Sequence, residues 1–310
     1  MRSDIPGLER NTSNSLLERG RGMQIYINGE YFSKEDARIS VFDHGLLYGD
    51  GVFEGIRIYH KRVFRLERHL QRLYRSARYI NLDIGITPEE LSAAVLEVCR
   101  RNPLSDGYIR LIVTRGTGTL GLSPKSCPKP TLIIIVDKLA IYSPEKYENG
   151  LKVLTVSTRR NIVDALDPQL KTLNYLNNIL ASIEAGRSDF DEALMLNSQG
   201  FVAEAAADNI FVIRDQRLST PATYLGALPG ITREAILEIA PQIGLETCET
   251  HLTLADIYNA DECFLTGTAA EVIPVSKLDG RLIGTGKAGP VTKQIIEKFH
   301  QMTQAEGTPF

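Results

Sequence analysis

A chain of 310 residues with 43% hydrophobic side chains exceeds the size at which one core usually stops growing, so two domains with a cleft between them are expected. Its 35 basic and 38 acidic side chains leave a net charge of −3, which removes any general electrostatic reason to expect nucleic acid or an anionic membrane surface as a partner. The expected ligand is a small molecule, and the four cysteines, at positions 99, 127, 248 and 263, lack the spacing or density of a metal site or disulfide scaffold.

Residues 1–22 are polar and mixed in charge, with no h-region, and read as a mobile N-terminal extension. No apolar run reaches the roughly 18 residues needed to span a bilayer, and a reducing cytoplasm is the expected compartment. From Met23 the pattern alternates and turns at Asn28-Gly29, a strong hairpin signal. Val52 to Tyr59 alternates again, and His60-Lys61-Arg62 turns it into Val63-Phe64-Arg65. A helix follows from about Leu66 to Ile80, with Leu66, Leu70, Leu73 and Ala77 as its buried stripe. Thr87-Pro88-Glu89-Glu90 opens the next helix with an N-cap, a first-turn proline and a capping box. Tyr108 to Thr114 and the apolar run Thr131 to Val136 are predicted strands. Residues 138–149 break the pattern with Ser143-Pro144 and a run of charges, which divides a small domain over 23–137 from a larger one over 150–310. Beyond the break, strands at 151–157, 193–196, 209–213 and 262–265 alternate with helices at about 175–186, 232–243 and 290–303. The fold class is α/β of the α+β kind, with mixed or antiparallel sheets.

Lys171 opens the segment Lys171-Thr172-Leu173-Asn174-Tyr175, ahead of a helix on which Leu176, Ile179, Leu180 and Ile183 have core-facing spacing. A lysine so placed is ordinarily a solvated charge; held in a cleft, its amine can lose a proton and attack a carbonyl. Glu204 lies among Ala203, Ala205, Ala206 and Ala207, and as a lone acid is ordinarily a turn residue, but in that apolar setting it wants a cation. Pro229-Gly230 introduces a helix whose first amides, Ile231 and Thr232, are free to bind phosphate, although Pro-Gly is also common punctuation. Thr266 to Glu271 is a second small-residue loop. On the helix from Leu66, Arg72 stands beside the apolar stripe, where it is either a solvated flank or an arginine reaching toward an anion.

With these residues in place, the chain resembles the fold-type IV pyridoxal-phosphate aminotransferases, and among them the branched-chain amino-acid aminotransferases. The resemblance runs over residues 23–303 and rests on seven ordered blocks: Asp43 to Arg57, His69 to Leu73, Tyr108 to Arg110, Lys171 to Tyr175, Glu204 to Asn209, Leu228 to Arg233, and Thr266 to Glu271. It implies pyridoxal 5'-phosphate as cofactor and Lys171 as the Schiff-base lysine. Glu204 is implied as partner of the pyridine nitrogen and Tyr175 as donor to the phenolic oxygen, with Arg72, the amides of Ile231 and Thr232, and Thr268 around the phosphate. Tyr48, Phe53, Gly55, Tyr108, Thr268 and Ala269 are implied to form the substrate site, with Arg110 for the distal carboxylate of glutamate and Arg57 on the same side. Tyr142 is expected to wall the pocket where some relatives carry a Trp-Gly form. No metal is implied, and a homodimer or higher homo-oligomer is.

The implied reaction is transamination of L-leucine, L-isoleucine and L-valine with 2-oxoglutarate. Alternatives on the same fold are a D-amino-acid aminotransferase, an (R)-amine transaminase and an aminodeoxychorismate lyase. D-specific relatives place an arginine and a histidine two apart after the Arg-Gly turn; Arg115-Gly116 to Pro124 has neither. A non-catalytic binding protein that kept the fold is the reading from another class, and intact Lys171, Glu204 and Arg72 speak against it.

Overall fold

The protein, seen in a computed structural model, is described over residues 22–139 and 142–310. Nearly all of the expected N-terminal extension, and Ala140 and Ile141, therefore lie outside the described residues. The chain begins with β1 (Gln24–Ile27) and β2 (Glu30–Ser33), paired antiparallel about Asn28-Gly29, both at positive φ as a two-residue hairpin turn requires. There follow α1 (His44–Tyr48), β3 (Gly51–Tyr59), β4 (Arg62–Val63), α2 (Leu66–Tyr79), α3 (Pro88–Arg101), β5 (Gly107–Thr114) and β6 (Thr131–Asp137). Thr87 and Glu90 close the predicted capping box on α3. After the break come α4 (Pro144–Asn149), β7 (Leu151–Thr155), α5 (Leu176–Gly186), β8 (Glu192–Leu196), β9 (Val202–Ala205), β10 (Asn209–Arg214) and β11 (Arg217–Pro221). The remainder is α6 (Ile231–Ile239), β12 (Glu246–Thr250), α7 (Leu254–Tyr258), β13 (Glu262–Gly267), β14 (Glu271–Leu278), β15 (Arg281–Leu282), α8 (Pro290–Ala305) and β16 (Thr308–Pro309).

Two sheets result. The first has seven strands in the order β16-β4-β3-β5-β6-β1-β2, antiparallel at every pairing. The second has nine strands and is mixed, with β11–β12, β14–β7 and β7–β8 parallel. The predicted stripe on α2 is buried against the first sheet with the apolar face of α3. Although the sequence pattern assigns everything after residue 150 to the second unit, β16 crosses back and pairs with β4. Tyr59 and Phe64 likewise join the second unit's aromatic cluster, with Phe64 edge-on to Phe299 of α8 at 5.9 Å.

One prediction from periodicity fails. Leu176, Ile179, Leu180 and Ile183 do not enter a core but are 67, 50, 49 and 46% exposed. α5 lies on β8 through its other face, Asn178, Ala181 and Ala185. Two alanines let the helix approach the sheet closely, and Asn178 Nδ2 donates to Ala206 O at 2.7 Å, so the small face wins the sheet and the large apolar face is left outside.

Candidate active site

A cavity of about 550 Å³ opens between the two sheets. Its first wall follows from register. Phe53, Gly55 and Arg57 share one face of β3 by alternation, and they stand opposite Ile112, Arg110 and Tyr108 of β5. A side chain at Gly55 would overlap the Tyr108 hydroxyl, so glycine there is what lets that hydroxyl into the cavity. Arg110 lies over the Phe53 ring at 4.7 Å and the Tyr108 ring at 5.5 Å, and no carboxylate pairs with it among the described residues.

Lys171 is held by its backbone. Phe53 N donates to Lys171 O at 3.0 Å, Leu173 N to Gly51 O at 2.9 Å, and Thr172 bridges Val52. The segment thus behaves as a short extra strand beside β3, which fixes it in place of the core-anchored helix that the sequence pattern predicts. Its Nζ projects into the cavity, 3.1 Å from the Tyr175 hydroxyl and 4.5 Å from the centre of the Phe53 ring.

The second sheet supplies the acidic wall. Glu204 sits in β9, only 5% exposed; its Oε1 accepts from Arg160 Nε at 2.9 Å, and its Oε2 from Leu228 N at 2.8 Å and Asn209 Nδ2 at 3.3 Å. Sequence reasoning misses Arg160: no local pattern marks an arginine that meets its partner only when β9 and the loop after β7 come together. Glu192 and Asp208 line the same wall.

Arg72 reaches the cavity from α2, but most of its guanidinium is already engaged. Nε and Nη2 grip the two oxygens of Glu54 at 2.7 and 2.8 Å, and Nη1 donates to Pro229 O at 3.0 Å. His69 Nδ1 lies 2.7 Å from Glu54 Oε2. Glu54, His69 and Arg72 are 0, 1 and 4% exposed. Glu54 has a sequence signal: it alternates with Val52, Ile56 and Ile58 on the core-facing side of β3, where an acid must find a partner. Burial acts to raise its carboxyl, but the Arg72 guanidinium and the His69 ring outweigh that and hold it well below the usual carboxylate range.

Next to Glu204 and Arg72, which meet Leu228 N and Pro229 O, α6 begins after Gly230 with no side-chain cap, leaving the amides of Ile231 and Thr232 without intrahelical partners. The turn between β13 and β14 places Thr268 and Ala269 at the lining, and Thr266 Oγ1 donates to Glu271 O at 2.6 Å across its base. Tyr142 also lines the cavity and donates to Glu192 Oε2 at 3.3 Å.

Two residues placed in the substrate site by resemblance, Tyr48 and Arg57, do not line the cavity of this chain among the described residues. Tyr48 ends α1 on the surface, 36% exposed, with its hydroxyl on Leu120 O, because α1 is carried outward with the loop around Leu120. Arg57 is on the cavity face of β3 but is drawn off by Glu271, at 3.1 Å, and lies over Tyr59.

Residues 51–278 match the family model for class IV amino-transferases. A protein of Methanocaldococcus jannaschii, provisionally named a branched-chain-amino-acid aminotransferase, is 50% identical over 277 residues, covering 89% of this chain and 95% of that one. The crystal structure of the Escherichia coli branched-chain amino acid aminotransferase superposes with a TM-score of 0.89 at 36% identity, over 93% of this chain and 96% of that one. The branched-chain aminotransferase of the thermophilic archaeon Thermoproteus uzoniensis, solved with norvaline, superposes with a TM-score of 0.85 at 37% identity, over 91 and 95% of the two chains.

Proposed function

The chain belongs to the class IV aminotransferases, and from that premise we propose that it moves the amino group of L-leucine, L-isoleucine and L-valine to 2-oxoglutarate, using pyridoxal 5'-phosphate. The observation that carries the reading is one cavity that joins a cleft lysine, a buried carboxylate and an uncapped helix start to an aromatic wall edged by Arg110, which no carboxylate engages among the described residues.

The residues present fit the cofactor. A carboxylate offers about four acceptor sites and Glu204 uses three, leaving one for a ring nitrogen. The amides of Ile231 and Thr232, the remaining N–H groups of Arg72, and Thr268 are the phosphate ligands, and the Tyr175 hydroxyl is the donor to the phenolic oxygen. When bound, the cofactor supplies an aldehyde and a ring that draws off the electron pair left when the substrate Cα loses its proton. Lys171 Nζ takes that proton and later returns one, held in place by the Tyr175 hydroxyl. Phe53 and Tyr108 exclude water from one side of the amine, and their faces accept an aliphatic side chain.

Arg110 is the group that admits a second carboxylate, so one pocket serves both leucine and glutamate. Arg110→Gln is expected to raise KM for 2-oxoglutarate about tenfold or more and to leave that for L-leucine within about threefold. Steady-state kinetics on both substrates check this, and an equal rise in the two would refute the assignment. The activity itself is tested with 2-oxoglutarate as acceptor and L-leucine, L-valine, L-isoleucine, D-alanine and an (R)-amine as donors. Preference for either of the last two overturns the reading.

The exposed apolar face of α5, with Leu46, Phe42, Leu120 and Leu122 also exposed, supports a homodimer as the working form. Leu180→Asp with Ile183→Asp is expected to shift the sedimenting species from two copies of the 34.4 kDa chain to one; an unchanged mass would argue against this face. No described helix is long and apolar enough to cross a membrane, and four free thiols fit a cytoplasmic location.

A further inference from the structure

Three carboxyl groups stand on the cavity wall made by the second sheet, and two each accept three hydrogen bonds from the protein. Glu204 is gripped as described above. Glu192 accepts from Ala193 N at 2.7 Å, Ala206 N at 3.3 Å and the Tyr142 hydroxyl at 3.3 Å. The third, Asp208, is 7% exposed, lines the cavity, and has no hydrogen-bond donor on its carboxyl among the described residues. Its place is fixed by the turn from β9 to β10, where Ala205 N donates to Asp208 O at 2.8 Å. Its carboxyl rests against Gly267, where any added side chain would overlap it. Asp208 thus abuts the start of the Thr268–Ala269 turn.

The groups facing Asp208 are Glu192 of β8, Glu204 of β9, Lys171 beside β3, and the hydroxyls of Tyr142 and of Tyr147 on α4. Burial first, then the charges of Glu192 and Glu204, push its carboxyl up to about 8, with Lys171 offsetting part of the rise. A buried acid with no donor aimed at it, opening on a cavity for anionic ligands, is useful as a donor and harmful as an acceptor.

Resting on the transamination reading of this cavity, we propose that Asp208 is a substrate-binding residue that works as a neutral carboxylic acid, donating a hydrogen bond to the carboxylate of the bound substrate. Once ionised, the same group repels that carboxylate. Binding an anion beside it strengthens its hold on the proton, so at alkaline pH carboxylate binding is accompanied by proton uptake.

The test uses holoenzyme and 4-methylpentanoic acid, a carboxylate that has no amine to titrate or react. Its competitive inhibition constant against L-leucine is measured from pH 6.5 to 9.5 for the natural protein and for Asp208→Asn, which keeps a donor and cannot ionise. The constant is expected to rise about tenfold per pH unit above pH 8 in the former, relative to Asp208→Asn. Other titrating groups move both proteins alike, so identical profiles overturn the proposal. Should Asp208→Asn not fold, calorimetry of the natural holoenzyme at pH 8.5 in two buffers decides. Uptake of a substantial fraction of a proton per acid bound supports the role, and no uptake overturns it. Proton uptake on binding the acid, read by calorimetry, in a protein that carries out no amino transfer to 2-oxoglutarate would refute the proposed reaction and leave the binding role standing.

Discussion

Lys171→Ala is expected to abolish amino transfer, lowering kcat by about 10⁴-fold or more, since one amine is asked both to bond the cofactor and to move the substrate proton. The fold should survive the change. The side chain's one hydrogen bond goes to the Tyr175 hydroxyl, whereas the contacts that hold the segment on β3 are backbone bonds from Phe53 and Leu173, and alanine keeps those. A coupled assay with L-leucine and 2-oxoglutarate gives the rate, and a thermal melt of the variant reports the fold. Transfer retained at more than about a hundredth of the natural rate would remove Lys171 from the reaction.

Glu54→Ala is expected to cost about 3–5 kcal/mol of stability, because it leaves the Arg72 guanidinium and the His69 ring buried without their shared acceptor. Urea unfolding of the cofactor-free protein measures the loss directly, and a change under about 1 kcal/mol would show that water or rearrangement replaces the carboxylate. The pH dependence has a definite sign. Glu54 titrates below its ordinary value in the folded chain, so its contribution is complete above pH 4.5 and drains away as the pH falls below that. Burial lowers His69 from 6.5 despite the neighbouring carboxylate; the unfolded chain then takes up its proton first, which also erodes stability as the solution becomes acid. In Glu54→Ala the Glu54 part of the acid loss should disappear.

Much of the first sheet is legible in the sequence because β1 and β3 alternate, β6 is an unbroken apolar run, and the Asn28-Gly29 turn carries its own signal. Phe53, Gly55, Tyr108 and Arg110 are grouped in the sequence only by the resemblance; the register of β3 against β5 is what brings them onto one face. α5 misleads because hydrophobic spacing says that a helix has an apolar face and not what that face meets; Ala181 and Ala185, too small to stand out, hold the sheet. Arg160 and Asp208 are out of reach, since each acquires its meaning from strands that are brought together only by the second sheet's mixed order. The polar groups of Tyr48 and Arg57 are met by Leu120 and Glu271, partners distant in sequence that no local pattern announces.

The return of β16 to the edge of the first sheet has a consequence for how this molecule is made. β4 is two residues long and would otherwise form the sheet's open border; it is closed by Thr308–Pro309, and Phe310 packs on the first unit's core. Residues 24–137 therefore do not complete their own sheet: its border is closed by a strand that lies beyond the whole second unit in the chain, so the first sheet reaches its full pairing only after that unit has been made.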